Sequence, residues 1–232
     1  MSNELRHVAV TGSSSGIGRA IAEALLAAGW RVSGLDVAKS QISHAAFRPI
    51  EVDLSSGEAI AAAATDLQDA DALVHAAGVL RVGPLGQLDH AGGKLMWRLH
   101  VDAAARIADA IVPAMARRRN GRVVFIGSRV AQGMPGRGQY AATKAALIAM
   151  ARSWAAEVAD QGVTVNVVSP AATATGMLAD PARAASAPRL PPIGRLIEPA
   201  EIAALVAYLL SPSAAAITGQ DIAICGGSSL SR

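Results

Sequence analysis

The sequence has little cysteine, few aromatic residues and a low density of charge. Its single cysteine, Cys225, excludes an internal disulfide and a cysteine-rich metal site. Aromatic residues make up 3% of the 232 residues and charged residues 17%, whereas 52% are hydrophobic. The apolar residues are chiefly Ala, Val, Leu and Ile, which is typical of helices packed on a buried sheet. Low charge and a mean hydropathy of +0.34 also predict burial between subunits.

Long hydrophobic runs are absent as well. No apolar run reaches about 18 residues without a charge or a helix breaker, and the N-terminal residues lack a signal-peptide layout, so we expect a cytoplasmic protein. The net charge is +3 and the pI about 9.5. The one basic cluster, residues 117–119, is interpreted as a helix C-terminus matched to its dipole, because nucleic-acid binding needs a longer basic face with stacking aromatics. We therefore predict neither a nucleic acid nor a membrane partner.

A glycine-rich turn, TGSSSGIG, lies between a predicted strand over residues 7–11 and a predicted helix over residues 17–28. Gly12 permits the tight turn, Gly16 lets the backbone approach a pyrophosphate, and Gly18 lets helix and strand pack closely. The helix N-terminus then presents free N–H groups to the negative charge. The predicted phosphate-binding residues are Gly12, Ser14, Ser15, Gly16, Ile17 and Gly18.

Asp36 follows the second predicted strand, residues 31–35. Its offset from Gly18 is close to that at which an acid binds the adenosine ribose hydroxyls. A carboxylate there opposes a 2′-phosphate, since two like charges about 4 Å apart cost a few kcal/mol at an effective dielectric near 20. We therefore predict NAD(H) rather than NADP(H). The alternative is an aspartate that only caps the following loop.

Alternating strands and helices continue along the chain without a break in composition. They predict a single α/β domain over residues 1–232, with a doubly wound parallel sheet of about seven strands and helices on both faces. Two more strand ends are expected at the cofactor edge, and their residues are Asp53, Leu54, Ala76, Ala77 and Gly78. Asp53 would receive the adenine amine, although turn chemistry explains it equally well. The irregular stretch 171–199 is interpreted as a substrate lid.

Ser128, Tyr140 and Lys144 carry the chemistry that the sequence predicts. Tyr140 and Lys144 are four residues apart, so they project from one face of a helix. A tyrosine normally keeps its proton until about pH 10, and a nearby ammonium favours the phenolate. Tyr140 is therefore a candidate proton donor and acceptor, and Ser128, at the end of the preceding strand, a candidate hydrogen-bonding partner for the reacting oxygen.

Together these motifs resemble those of the short-chain dehydrogenase/reductase family, along essentially the whole chain. The matching residues are the glycine-rich turn, Asp36, Asp53, 76–78, Ser128, Tyr140, Lys144, the NVVSP sequence at 166–170, Thr175, ITGQ at 217–220 and the glycines at 226–227. The resemblance implies a Rossmann fold and reversible hydride transfer between a nicotinamide and a secondary alcohol or carbonyl.

The resemblance also implies roles for individual residues. Tyr140 would exchange the proton, Lys144 would hold the nicotinamide ribose and lower the tyrosine pKa, and Ser128 would position the substrate oxygen. Thr175 would bind the carboxamide, and further residues of the cofactor site would be Pro170, Ala171 and Thr173. Such proteins are homotetramers or homodimers through their long helices, here around 91–118 and 139–160.

Within the family, the stretch 71–83 is similar to members that oxidise a cyclic diol with NAD. The leading interpretation is therefore an NAD(H)-dependent enzyme that interconverts a small cyclic secondary alcohol or diol and its ketone. One alternative is a biosynthetic carbonyl reductase of the type that prefers NADPH. The other is a non-catalytic NAD-binding scaffold.

The chain departs from the family pattern at several positions. His100 stands where the family has an asparagine that helps to hold a water joining the lysine to bulk solvent. His100 would keep the part of the backbone carbonyl in holding that water, relay protons through its own ring, or be a merely tolerated substitution. Ala171 replaces a glycine and would crowd the nicotinamide if its φ were positive. His75 also replaces a common asparagine and is interpreted as a strand-end side chain bonded to backbone.

Overall fold

Seven parallel strands form the centre of the protein in a computed structural model, which describes residues 5–179 and 190–230. The strands are β1 (His7–Thr11), β2 (Arg31–Asp36), β3 (Phe47–Glu51), β4 (Ala72–His75), β5 (Gly121–Ile126), β6 (Val163–Pro170) and β7 (Asp221–Ile224). Their order across the sheet is β3-β2-β1-β4-β5-β6-β7, with every pairing parallel. The order reverses between β1 and β4, which opens a crevice at the carboxyl ends of the strands. The predicted doubly wound Rossmann fold is confirmed.

Helices cover both faces of this sheet. They are α1 (Gly16–Ala27), α2 (Gly57–Ala64), α3 (His90–Trp97), a π-helical segment (Arg98–Asp102), α4 (Ala103–Arg117), α5 (Gly138–Val158) and α6 (Pro199–Leu209). Within the part of the chain that the structure describes, none of the helices is long and apolar enough to cross a bilayer.

Alternating strand residues divide the core into two layers. On β5, Val123 and Phe125 pack in the layer beneath α4 and α5, whereas Val124 and Ile126 pack in the layer beneath α1 and α6. Successive strand residues point to opposite faces, so a strand that is apolar throughout fills both layers. This pattern explains why the sequence can be so poor in charge and still fold as one unit.

The predicted elements agree with the structure except at some ends. The long helix expected over 91–118 begins as α3 and is interrupted by the π-helical segment Arg98–Asp102 before α4. A π segment adds one residue to a turn, and periodicity of apolar residues does not reveal it. Strand β6 continues to Pro170 rather than ending at residue 168. Pro170 pairs with Ile224 of β7, and the Ala171 N–H donates to the Ile224 carbonyl oxygen.

The expected lid is described only in part. Thr173 bridges to Ile197, and a 3-10 helix covers Gly176–Ala179. The stretch 180–189 of the predicted lid lies outside the described residues. Among the described residues, Arg119 is the only non-glycine residue with a positive φ, so Ala171 does not adopt the conformation that would crowd a nicotinamide.

The glycine-rich turn depends on a close approach between α1 and the end of β1. A Cβ built on Gly18 would lie 2.1 Å from the Gly12 carbonyl oxygen, and one built on Gly12 would lie 2.8 Å from the Ala77 backbone nitrogen. Gly12 also has a φ of +69°. These positions exclude a side chain, so the turn, the helix and the loop after β4 are packed backbone to backbone.

We predict that Gly18→Ala lowers the free energy of unfolding by about 1–3 kcal/mol, because the added methyl forces α1 away from the turn. Urea unfolding measures the change. Gly138→Ala is the matched control: a Cβ there meets nothing within 4 Å and it lies within α5, so no loss is expected. Equal midpoints for wild type and Gly18→Ala would show that α1 moves aside at no cost.

Candidate active site

A cleft of about 1340 Å³ runs along the carboxyl ends of the strands. Pockets for single small ligands are usually about 300–1,000 Å³, so this cleft has room for a dinucleotide and a second molecule. The predicted site residues that line it are Gly12, Ser15, Gly16, Ile17, Gly18, Asp36, Asp53, Leu54, Ala76, Ala77, Gly78, His100, Ser128, Tyr140, Lys144, Pro170, Ala171, Thr173 and Thr175. Of the predicted residues, Ser14 alone does not line it.

The N-terminus of α1 forms one wall of the cleft. Ser15 is its N-cap residue, but the Ser15 side chain makes no capping bond, and no acidic residue occupies the first turn. The first N–H groups of a helix have no intrahelical acceptor. Here they border the cleft at Gly16, Ile17 and Gly18, so this end of the cleft suits an anionic phosphate.

Asp36 is held in place by two backbone N–H groups. One carboxylate oxygen accepts from Ser14 N–H at 3.0 Å and the other from Ala38 N–H at 2.9 Å. The Ser14 hydroxyl in turn donates to the Ala38 carbonyl at 2.8 Å. Asp36 therefore caps its own loop and also lines the cleft. Ser14 does not line the cleft; its hydrogen bonds fix the carboxylate relative to the glycine-rich turn.

Asp53 shows the turn chemistry that the sequence left open. Its carboxylate accepts from Ser55 N–H at 2.8 Å, and this backbone hydrogen bond lowers the Asp53 pKa below its usual range. Asp53 and Leu54 also line the cleft near Asp36. The residue is thus both a turn former and a wall of the end of the cleft that Asp36 lines.

Ser128 lies two residues after the end of β5 and is the N-cap residue of a 3-10 helix, Arg129–Gln132. Its side-chain oxygen accepts from Val130 N–H at 3.1 Å, and the residue is 8% exposed. That bond uses an oxygen lone pair, so the hydroxyl proton can be donated to a ligand in the cleft. The tight turn therefore orients the hydroxyl before any ligand arrives.

Lys144 is buried beside Tyr140. Its Nζ donates to the Ile126 carbonyl oxygen at 2.8 Å and lies 5.8 Å from the centre of the Tyr140 ring. Burial lowers the pKa of Lys144 to about 7. The amine is thus held by the end of β5 on one side and by α5 on the other, with its charge sensitive to what the cleft contains.

His100 is completely buried and both of its ring nitrogens are bonded within the protein. Nε2 accepts from Val79 N–H at 3.1 Å, and Nδ1 lies 2.8 Å from the Thr143 hydroxyl. Burial, followed by the charge of Lys144, lowers the His100 pKa well below its usual value. This arrangement supports a positioning role for His100 rather than the proton relay considered from the sequence.

A serine, a histidine and an aspartate are also linked by hydrogen bonds near the amino ends of the strands, away from the cleft. The Ser33 hydroxyl is 2.8 Å from His7 Nε2, and His7 Nδ1 is 2.9 Å from the Asp69 carboxylate. Ser33 and His7 are both 1% exposed, and neither lines the cleft. A nucleophile must reach its substrate, so we assign these three hydrogen-bonded residues a structural role.

Several residues in or next to the cleft carry no sequence signal. Thr143 links His100 to α5, and only its buried position in the folded protein identifies it. The same cleft has many apolar lining residues that no motif predicted, together with Arg129 and Arg137. The apolar residues are Leu80, Leu95, Leu99, Val130, Met134, Met177, Leu178, Leu190, Pro192 and Leu230. They come from six separate parts of the chain, so no motif unites them. Within residues 5–179 and 190–230, no group of three His, Cys, Asp or Glu residues is arranged to hold a metal ion.

Comparison with known proteins gives consistent matches. Residues 12–229 match the family model described as Enoyl-(Acyl carrier protein) reductase. The 3-oxoacyl-(acyl-carrier-protein) reductase FabG of Vibrio cholerae serotype O1 is 35% identical over 232 residues, 94% of this chain and 95% of that protein. The 2,3-dihydro-2,3-dihydroxybenzoate dehydrogenase of Escherichia coli K12 is 34% identical over 242 residues, 97% of each chain. A solved structure of a short chain dehydrogenase/reductase family protein is 33% identical, with a TM-score of 0.89 and full coverage of both chains.

We predict that stability falls as the pH drops below about 6.5, because the folded protein keeps buried histidines neutral. Burial is the main cause that lowers the His75 pKa to about 3, whereas an unfolded histidine takes up its proton near 6.5. Between these values the unfolded state binds one more proton per buried histidine, so the free energy of unfolding decreases by about 1.4 kcal/mol per pH unit for each.

The variant His75→Asn removes one such group. Urea unfolding between pH 7 and pH 5 should show a shallower mean pH slope in this variant, by about 1 kcal/mol per pH unit, and the difference should approach about 1.4 kcal/mol per pH unit near pH 5. The slopes, rather than absolute stabilities, are compared because the substitution also changes hydrogen bonds. Parallel slopes in the two proteins would show that His75 binds its proton equally well folded and unfolded.

Proposed function

Because the chain belongs to the short-chain dehydrogenase/reductase family and is an oxidoreductase, we propose that it reduces the ketone of a 3-oxoacyl substrate with NADH. The observation that carries the proposal is the continuity of the cleft. One cleft is lined by the α1 N-terminus and Asp36, by Ser128, Tyr140 and Lys144, and by a large set of apolar side chains. The reaction is reversible, so the same site oxidises the corresponding secondary alcohol.

The cleft fits a nicotinamide dinucleotide. The uncapped first turn of α1 and the glycine at position 16, with its φ of +54°, leave backbone N–H groups open to a pyrophosphate. Asp36 lies where ribose hydroxyls would be bound, and Thr175 borders the same cleft. When bound, the cofactor supplies the hydride that the carbonyl carbon receives.

The protein's own residues then handle the oxygen and its proton. Ser128 donates a hydrogen bond to the carbonyl oxygen, and Tyr140 gives up its phenolic proton to that oxygen as the C–O bond becomes single. The ammonium form of Lys144 stabilises the tyrosinate left behind. The pKa of Lys144 near 7 means that this charge is lost readily in the empty cleft, and new acceptors from a bound ribose favour it.

The substrate class rests on two observations. The V. cholerae relative is named as a 3-oxoacyl reductase, which favours the carbonyl-reductase alternative over the cyclic alcohol that the sequence suggested. The apolar side chains that line the cleft suit an acyl chain. Asp36 nevertheless argues for NADH, since its fixed carboxylate opposes the phosphate that distinguishes NADPH.

Oxidation of a cyclic diol is the second candidate. It is favoured by the relative named 2,3-dihydro-2,3-dihydroxybenzoate dehydrogenase and by Asp36, which suits NAD as the hydride acceptor. The non-catalytic scaffold is the third interpretation, and any turnover that depends on Tyr140 removes it.

Assembly as a homotetramer or homodimer stays a prediction; half-exposed Trp97 on α3 offers a contact surface.

We expect Tyr140→Phe to lower kcat at least about 100-fold while NADH binding is retained, because the phenyl ring fills the same space but has no proton to give. NADH consumption with a 3-oxoacyl thioester and NADH formation with cyclic diols are measured side by side, with binding followed by NADH fluorescence. Turnover only with the thioester supports the first candidate, and turnover only with the diols supports the second. Activity retained in Tyr140→Phe would exclude this mechanism.

We expect Asp36→Ala to lower the preference for NADH over NADPH by about 10-fold or more, because a like charge no longer opposes the 2′-phosphate. The ratio of kcat/KM for the two cofactors is the measured quantity. Asp53→Ala is the matched control, a second carboxylate of the same cleft, and should alter both kcat/KM values alike. A ratio unchanged in Asp36→Ala would reduce Asp36 to a loop cap.

A further inference from the structure

Two buried histidines, His75 and His100, lie next to the catalytic centre. His100 lines the cleft, whereas His75 does not. His75 is 1% exposed and His100 is not exposed at all. Each ring has both nitrogens within hydrogen-bond distance of a protein atom, and the partners fix which nitrogen carries the proton. A buried ring bonded in this way is held in one orientation and one tautomer.

The partners of His100 define its tautomer. The Val79 backbone N–H can only donate, so Nε2 of His100 is the accepting nitrogen. A neutral ring therefore carries its proton on Nδ1 and donates to the Thr143 oxygen at 2.8 Å. The Thr143 hydroxyl donates onward to the Tyr140 backbone carbonyl at 2.8 Å. His100 thus connects the loop after β4 to the first turn of α5.

His75 has the opposite tautomer. The Leu99 carbonyl can only accept, so Nε2 of His75 carries the proton and donates at 3.0 Å. Its Nδ1 accepts from the Thr11 hydroxyl at 3.0 Å. The same Thr11 oxygen accepts from the N–H groups of Ala76 and Ala77 at 3.0 and 3.1 Å. His75 therefore joins the end of β1 and the loop after β4 to the π-helical segment.

The π-helical segment explains why both rings can bond there. Leu99 and His100 are consecutive residues of Arg98–Asp102. The Leu99 carbonyl, which accepts from His75, and the His100 ring, which bonds Thr143, therefore lie on one turn. Such segments change the direction of side chains and carbonyls locally and occur frequently at functional sites. The His100 ring also stands edge-on to the Tyr140 ring, with centres 5.6 Å apart.

We infer that the rings of His75 and His100 act together as a structural brace, which positions the catalytic tyrosine and the cofactor loop 76–79 relative to each other. Neither ring serves as a proton carrier, since a relay would have to break one of the bonds that hold it. The charged group facing both rings is Lys144, which together with burial keeps them neutral. The inference rests on the proposed function, because it assigns parts in that reaction.

The two arms of His100 can be separated by substitution. In His100→Gln, the amide oxygen replaces Nε2 and accepts from Val79, while the bond to Thr143 is lost. In His100→Asn, the amide nitrogen replaces Nδ1 and donates to Thr143, while the bond to Val79 is lost. We expect kcat to fall about 10-fold in the first variant and KM for the cofactor to rise about 10-fold in the second, each the effect of one hydrogen bond.

Thr143 supplies the control for the tyrosine arm. Thr143→Val should lower kcat about as much as His100→Gln, whereas Thr143→Ser keeps the hydroxyl and should retain wild-type kcat. The double variant His100→Gln/Thr143→Val should be no worse than either single variant, because both remove the same link. Additive losses would mean that the two residues act independently and would overturn the brace.

A readout that needs no turnover is the nitrogen NMR signature of the two rings. We expect Nδ1–H for His100 and Nε2–H for His75, both unchanged from pH 8 to pH 6. A charged ring or the reverse tautomers would overturn the inference whatever the activity. The pH profile of kcat is expected to keep its shape in His100→Asn and His100→Gln; loss of an ionisation in both would assign His100 to proton relay instead.

These experiments separate failure of the brace from failure of the proposed function. If wild type reduces the ketone and Tyr140→Phe does not, but both His100 variants keep wild-type kcat and KM, the brace is wrong and the function stands. If wild type shows no turnover, the proposed function fails. The ring tautomers and NADH affinity of the His100 variants then decide whether the brace exists as a cofactor-loop support.

Discussion

The structure depends on one constraint: seven parallel strands end at the same edge of the sheet, and the connections that follow β1 and β4 run in opposite directions across it. Each connection must return the chain to the side from which the strands start, so every point at which the chain leaves a strand falls at that edge. The glycine-rich turn, Asp36, the loop after β4, Ser128 and Thr175 are all such junctions. A site assembled from distant parts of the sequence follows from the topology alone.

Low charge gives this site its electrostatic character. Lys144 is the one buried ammonium in the described part of the cleft, and the nearby histidines are held neutral by burial and by Lys144 itself. Asp36 lines the same cleft, and its carboxylate accepts hydrogen bonds from two backbone N–H groups.

Local motifs made much of this predictable. Strand β1 was predicted at its exact bounds, and Tyr140 and Lys144 fall on one helix as their spacing required. Nineteen of the predicted site residues line one cleft. The π-helical segment was missed because it inserts a residue without altering the apolar pattern. Ser14 was assigned to the phosphate site; its backbone N–H donates to Asp36 and it does not line the cleft, and the assignment stays a prediction.

By itself, the sequence determined the fold and predicted the glycine-rich turn and the candidate residues Ser128, Tyr140 and Lys144, because each depends on short spacings that one element enforces. Only the tertiary structure decided the tautomers of His75 and His100, the partner of Thr143 and the apolar residues that line the cleft. Those features join residues far apart in the chain, and a hydrogen bond between them exists only once packing brings donor and acceptor within about 3 Å.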